Sequence, residues 1–219
     1  YPLGTKTPLI VRWPGTVRPG QYDDSTVLSV VDIAPTIADV CGLKAMKNID
    51  GISFANILNG SNSDWDRAEA FTCVNYMNNE PEHDEMIASY TPDLYRKVEQ
   101  YRPSRALSSA RFTYIWNGWS DGSAKVPRTM GEELRSLLKT YADDPEDKTY
   151  PDYNDRVCFM EFRAPEELYD TVEDPGCLNN LAHDSEYQTL IEGLRERMMD
   201  ILESTNDHEV TNYRASVGP

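Results

Sequence analysis

The sequence predicts an α/β protein that carries a smaller α+β subdomain with an antiparallel sheet and a long terminal helix. Three observations carry that expectation. A nearly continuous apolar run, Leu9-Ile10-Val11 with Trp13, meets a Pro14-Gly15 turn and is followed by a segment of helical period, the β-then-α order of an α/β unit. Phe112, Tyr114 and Trp116 alternate with period two on the second arm of a hairpin. Tyr187, Leu190, Ile191, Leu194, Met198, Ile201 and Leu202 form one stripe at helical spacing.

Taken in order, residues 7–13 read as a short strand covered on both faces, because it lacks the polar alternation of a half-exposed one. Pro14-Gly15 and Pro19-Gly20 punctuate the loop that follows. Asp32 leads into a helix of about 10 residues with Pro35 in its first turn and Ile33, Ile37, Val40 and Cys41 at helical spacing. Gly42 stands where a left-handed cap is wanted. Asp50-Gly51-Ile52-Ser53 caps a second short helix with Phe54, Ile57 and Leu58, ended by Gly60. Asn59-Gly60-Ser61 is a glycosylation sequon, a short pattern that arises often by chance.

A composition change at Ser61-Asn62-Ser63-Asp64 divides residues 1–65 from a subdomain over 66–205. Ala70–Tyr76 reads as a strand, and Asn78 to Glu85 as a polar loop. A hairpin over 106–117 comes next, followed by a helix over 131–141 and an acidic loop from Asp143 to Asp155. Short strands are expected over 157–162 and 167–169, with a turn at Asp174-Pro175-Gly176. The terminal helix is expected over 185–203, N-capped by Asp184 or Ser185. Residues 206–219 show no periodicity and read as an irregular tail.

The 219 residues carry 37 acidic against 21 basic side chains, a formal charge of −16, which argues against nucleic acid as a partner because phosphate binding needs clustered Lys and Arg. A polyanionic substrate would have to enter a local basic pocket against this field. No apolar run reaches the length of about 18 residues that a membrane span needs. The four cysteines (Cys41, Cys73, Cys158 and Cys177) form no CxxC pair, which disfavours zinc and leaves free buried thiols or one or two disulfides.

Two blocks of residues resemble a known family. Thr7-Pro8-Leu9-Ile10-Val11-Arg12-Trp13-Pro14-Gly15 with Ser29-Val30-Val31-Asp32-Ile33-Ala34-Pro35-Thr36 is similar to the pattern "PLIVRWPG … S-hydrophobic-VDIAPT … G … DG-S" near the end of the catalytic domain of type I sulfatases, in the alkaline phosphatase-like superfamily. Arg105-Ala106-Leu107 with Arg111-Phe112-Thr113-Tyr114-Ile115-Trp116-Asn117 is similar to that family's "RAVRT-x-RYKYI-x-N" hairpin. Arg163-Ala164-Pro165-Glu166-Glu167-Leu168-Tyr169-Asp170, then Asp174-Pro175 and Asn179-Asn180-Leu181-Ala182, looks like its "RP-x-EELYD … DP-x-E-x-NNLA" segment. The long insert between hairpin and "ELYD" looks most like heparan N-sulfatase (sulfamidase) and its bacterial relatives. The resemblance implies that residues 1–65 are the last strand and helices of a doubly wound catalytic sheet.

It also implies the chemistry. Sulfate ester or sulfamate hydrolysis in the family needs a cysteine converted to formylglycine, a divalent cation such as calcium, Asp and Asn ligands for it, and cationic groups that neutralise developing charge. The conversion signal is Cys-x-Pro/Ala-x-Arg. Cys41, Cys73, Cys158 and Cys177 all lack it. Tyr101-Arg102-Pro103-Ser104-Arg105 matches at Pro, Ser and Arg, but a phenol cannot become formylglycine. The family's metal ligands likewise lie upstream. No catalytic residue and no metal ligand is therefore expected here, and this segment alone should be inert.

Substrate contacts are expected instead from His83 and Glu85, a reduced form (His83-Asp84-Glu85) of the "HHE" loop that stands near the substrate mouth in sulfamidase-like members. An imidazole and a carboxylate suit the hydroxyls and amine of a glucosamine ring. Arg105 either pairs with a uronate carboxylate through its planar fork or bridges the hairpin to the catalytic domain. Lys6, His183 and His208 read as surface residues. Expected partners are a sulfated carbohydrate and the upstream catalytic domain, with neither nucleic acid nor membrane. The family implies export to a periplasmic, extracellular or lysosomal compartment. Two other readings stay open: a non-catalytic binding module derived from the subdomain, and a phosphodiester or phosphonate hydrolase of the same superfamily. Tyr169 is expected in the core with a partner for its hydroxyl.

Overall fold

The computed structural model describes residues 2–44, 47–61, 65–76, 101–123 and 162–217. His83, Glu85, Cys158, the helix expected over 131–141, the loop over 143–155 and all but the last residue of the strand expected over 157–162 lie outside the described residues.

Four strands form one antiparallel sheet in the order β1 (Ala70–Tyr76), β2 (Tyr101–Ser108), β3 (Phe112–Asn117) and β4 (Glu166–Asp170). The β2–β3 hairpin registers Leu107 opposite Tyr114 and Arg105 opposite Trp116. Side chains alternate across the pleat, so Leu107, Tyr114, Trp116 and Leu168 face one way while Ala106, Ile115 and Tyr169 face the other. The first face is covered by a long helix. Its buried stripe of Ile191, Leu194, Met198 and Leu202 meets the sheet as the periodicity demands. The expected helix is thus observed, as a 3-10 turn over Ser185–Tyr187 running into Gln188–Ser204, and the Asp184 side chain accepts from the Glu186 amide.

The "ELYD … NNLA" signature proves to be scaffold. Asn180 Oδ1 accepts the Leu168 amide at 2.9 Å and its Nδ2 donates to the Glu166 carbonyl at 3.0 Å, so one side chain occupies the outer margin of β4. Asp174 Oδ2 gathers the amides of Leu178 and Asn179. Asp170 takes the amides of Val172 and Glu173 and pairs with Arg111, whose hydrogen bond holds its carboxyl below the usual carboxylate range. On the second face, Tyr169 donates to Glu167 Oε2 at 2.7 Å and Asn117 Nδ2 donates to Glu167 Oε1 at 2.6 Å. Burial pushes the Glu167 carboxyl up despite these donors.

Three expectations are corrected. The first concerns 206–219: Val210–Val217 is a helix, not an irregular tail. Val210, Tyr213 and Val217 fall at i, i+3 and i+7 and meet the main core, a short stripe hidden among polar neighbours. Tyr213 is fully buried, stands edge-on to Trp116 with centroids 5.1 Å apart, and shares a 3.1 Å hydroxyl contact with Tyr114. The second concerns 7–13, which joins no ladder among the described residues. Ile10 is 91% exposed and Leu9 49%. An interior strand exists only between neighbours that take up its amides and carbonyls, and no described segment offers them. The third concerns the thiols: Cys41 and Cys73 are free but exposed, and only Cys177 is a free buried one among the described cysteines.

The leading helices are Pro2–Thr5 (α1), Ile33–Val40 (α2) and Ala55–Leu58 (α3); the long helix is α4 and the last α5. At the end of α2, Gly42 takes φ +65°, with its amide on the Asp39 carbonyl and the Leu43 amide on Ala38, a Schellman closure. Asn206, at φ +53°, closes α4 the same way, Asp207 reaching back to Leu202. Asp32 is fully buried at the start of α2. Its oxygens accept the amides of Ser29 and Ile52, each at 2.8 Å, and the Arg67 guanidinium at 2.6 Å. Gly51 lies against it: a Cβ there would sit 2.0 Å from the Val31 carbonyl oxygen, so only glycine fits.

Candidate functional site

The end of the sheet where β1 stops and β2 starts carries most of the polar machinery. Tyr76 and Tyr101 are paired across the ladder after a register shift, and in sequence the connection between them holds His83 and Glu85. Arg105 stands two rungs away in the interior. Its Nε and Nη2 donate to the two carboxylate oxygens of Asp207 at 2.9 Å each, and Nη1 donates to Asn75 Oδ1 at 2.9 Å and the Ser104 carbonyl at 3.1 Å. Only 1% of Arg105 is exposed. Burial, the largest influence on the Asp207 carboxyl, would raise it, but the Arg105 hydrogen bonds, the Glu209 amide and the charges of Arg105 and His208 together outweigh it and the net shift is downward. In this chain the planar fork of Arg105 is filled by a carboxylate from the turn after α4.

Beside this strut lies an open cleft of about 490 Å³, between the β2–β3 end and α5. Arg102, Gly118, Trp119, Glu209, Thr211 and Asn212 line it. The Arg102 guanidinium sits over the Trp119 ring, 5.3 Å from its centroid, and Trp119 Nε1 donates to Ser104 Oγ at 3.3 Å. Asn212 Nδ2 donates to the Gly118 carbonyl at 3.1 Å and to Glu209 Oε2 at 2.8 Å. Trp119 and Asn212 carried no pattern in the sequence that would single them out. The Tyr-Arg-Pro-Ser-Arg decoy is the start of β2, which makes Arg102 a cleft residue and Arg105 the strut.

The remaining candidates are scattered. Lys6 is exposed and donates to Thr171 Oγ1 at 3.4 Å; His183 is exposed ahead of the long helix. His208 lies 4.0 Å from carboxylate oxygens of both Asp207 and Glu209. Among the described residues no group of three His, Cys, Asp or Glu side chains is arranged to hold a metal ion. Among the described residues, then, no side-chain group fits the cation that the resemblance implies, and none of the four cysteines stands in the sequence context of a formylglycine precursor.

By class, the chain aligns with sulfatases. It is 23% identical over 205 residues to an ulvan-active sulfatase of Formosa agariphila, covering 94% of this chain and 34% of that protein. A second ulvan-active sulfatase of the same organism is 26% identical over 198 residues, covering 90% and 29%. An endo-4-O-sulfatase of Bacteroides thetaiotaomicron is 26% identical over 162 residues, covering 66% and 31%. The chain therefore spans about a third of the length of these relatives. The particular family match falls on residues 1–102, which fit the family described as N-sulphoglucosamine sulphohydrolase, C-terminal, of the sulfatases. The solved structure of a 2-O GAG sulfatase superposes with a TM-score of 0.47 at 19% identity, covering 84% of this chain and 26% of that one.

Proposed function

We propose that this chain is the C-terminal region of a sulfatase that hydrolyses sulfate esters or sulfamates of sulfated carbohydrate, with its catalytic centre supplied by residues outside the segment. The observation that carries this reading is the match of residues 1–102 to a sulfohydrolase C-terminal family, joined to relatives three times as long that are named as sulfatases. An N-sulfoglucosamine-type substrate is favoured by the family's description, although the named relatives act on ulvan or as an endo-4-O-sulfatase.

A physical argument supports the division of labour. Ile10, Val30, Val31, Ile37 and Leu43 are exposed, on a run and a helix whose pattern is that of buried elements. Exposed large apolar side chains on elements of buried pattern are what remains when their cover is supplied by other polypeptide. The catalytic domain is that cover in this reading. Formylglycine and calcium belong to it, and His83 and Glu85 reach the sugar from the β1–β2 connection. No helix among the described residues is long and apolar enough to cross a membrane, and export is the compartment we assign.

The test is a substrate panel. The protein in full should release sulfate from N-sulfated or O-sulfated saccharides, whereas the 219-residue chain alone should release none. Sulfate release by the isolated chain would overturn the placement of the centre. Cleavage of phosphonates or phosphodiesters without any sulfate release would overturn the substrate class.

A further inference from the structure

We propose that Asn59 is a site of spontaneous covalent modification, where the side-chain amide is lost through a cyclic imide and the residue becomes aspartate or isoaspartate. The inference is independent of the sulfatase reading. Two Asn-Gly pairs lie among the described residues, Asn59-Gly60 and Asn117-Gly118, and the fold treats them in opposite ways. In such a pair the glycine nitrogen can reach the asparagine side-chain carbonyl carbon, with no Cβ beside it to obstruct the approach. Asn59 and Gly60 are exposed at the end of α3, and a Cβ built on Gly60 would meet nothing within 4 Å. Asn59 Oδ1 accepts the Ser61 amide at 3.0 Å, which polarises the carbonyl toward attack, while no described residue accepts from its Nδ2. The Gly60 amide is held by the Ile57 carbonyl at 3.1 Å, in the last turn of a four-residue helix, where fraying releases it at little cost.

The reaction balances with water as its sole co-reactant. The Gly60 nitrogen gives its proton to solvent and bonds to Asn59 Cγ; the Cγ–Nδ2 bond breaks, and that nitrogen takes up a proton and leaves as ammonia. Water then adds to one of the two imide carbonyls and cleaves its bond to the Gly60 nitrogen, which regains a proton. Opening at Cγ gives aspartate, and opening at the main-chain carbonyl gives isoaspartate. Asn117-Gly118 has the same two residues and is closed to this path. Asn117 is 5% exposed, and its Nδ2 donates to the Ala164 carbonyl at 2.9 Å and to Glu167 Oε1 at 2.6 Å. Its Oδ1 accepts from Ser104 Oγ at 2.8 Å, and the Gly118 amide donates to the Pro103 carbonyl at 2.9 Å. An imide there would have to break these buried bonds. Position gives the change at Asn59 its weight. The chain from Ile52 to Arg67 is tied to Asp32 at both ends, by the Ile52 amide at 2.8 Å and the Arg67 guanidinium at 2.6 Å. Isoaspartate lengthens the main chain by one atom inside that closed segment.

Peptide mapping by mass spectrometry, on the protein in full aged in mildly alkaline buffer, tests the site. The tryptic peptide over 48–67 should gain about 1 Da at Asn59 and separate into two products, while Asn117 in the peptide over 112–125 stays intact. Asn59 should convert at least about tenfold faster than Asn117 in the folded protein, the ratio set by one hydrogen bond between a buried amide and a carboxylate. In urea the two rates should converge, because the fold and not the dipeptide makes the difference. Asn59→Gln should lose the gain assigned to that position. Equal rates at the two asparagines in the folded protein overturn the site, as does an Asn59 that stays intact while the urea sample converts.

Discussion

The sheet with its two covering helices and the leading segment that precedes it solve the same problem in opposite ways. In the sheet region, each large apolar side chain that the pattern points inward finds a lid: Leu107, Trp116, Leu168, Ile191, Met198, Leu202 and Tyr213 are all at most 0% exposed. In the leading segment, Asp32, Thr36 and Ala38 are the buried residues of the first two helical turns, while Ile33, Ile37 and Val40 look outward. One region is held by apolar packing, the other by a carboxylate that ties three parts of the chain. The difference teaches that a segment's pattern records the environment it was selected for, and the local structure it adopts in this chain does not erase that record.

Substitutions should separate the two regions. Trp116→Ala should cost about 4 kcal/mol, the range for emptying a large aromatic site, and Tyr169→Ala about 3 kcal/mol or more; urea unfolding measures both, and an unchanged midpoint would refute the core assignment. Arg105→Ala strands Asp207, a partly buried carboxylate, and should cost about 3 kcal/mol. The same pair gives a pH signature. Asp207 has a lowered folded value, so its contribution is full above the ordinary value of 3.8 and fades as pH falls through the lowered one. Arg105→Ala should flatten that acid limb in a pH series of melting temperatures.

Asp32→Asn removes the charge from three hydrogen bonds and should cost about 2 kcal/mol, confined to the leading segment. Hydrogen exchange should then accelerate at the Ser29 and Ile52 amides and leave β2 and β3 untouched. The smallest effect is expected from Ile10→Ser. In the 219-residue chain it should move stability by less than about 0.5 kcal/mol, because the side chain is already in water. In the protein in full it should destabilise markedly. Equal, negligible effects in both would break the comparison and the proposed cover with it.

Sequence periodicity located the sheet region well because its partners are inside the chain. β1 runs over Ala70–Tyr76 as expected, the second hairpin arm falls where the alternation put it, the first starts at Tyr101 rather than Ala106, and the seven-residue stripe marks the long helix. Two kinds of information were out of reach. The short α5 stripe offers three apolar positions among eight residues, too few for a period to stand out. The run at 7–13 has the right composition for a strand, but a ladder needs a second strand, which residue types alone do not supply. For the candidate site, Arg105 stood out in the sequence by its place in the hairpin motif, with a sugar carboxylate or the catalytic domain as its expected partner. Its partner Asp207 lies 102 positions away and has no local signal, so that pairing could not be read.

The amide of Asn180 has a consequence for the behaviour of this chain in concentrated solution. Sheets polymerise when an unpaired border recruits the backbone of another molecule. Here the β4 flank already has its Leu168 donor and Glu166 acceptor satisfied by a side chain that cannot propagate a ribbon. Fibril growth from that flank is blocked at its first rung.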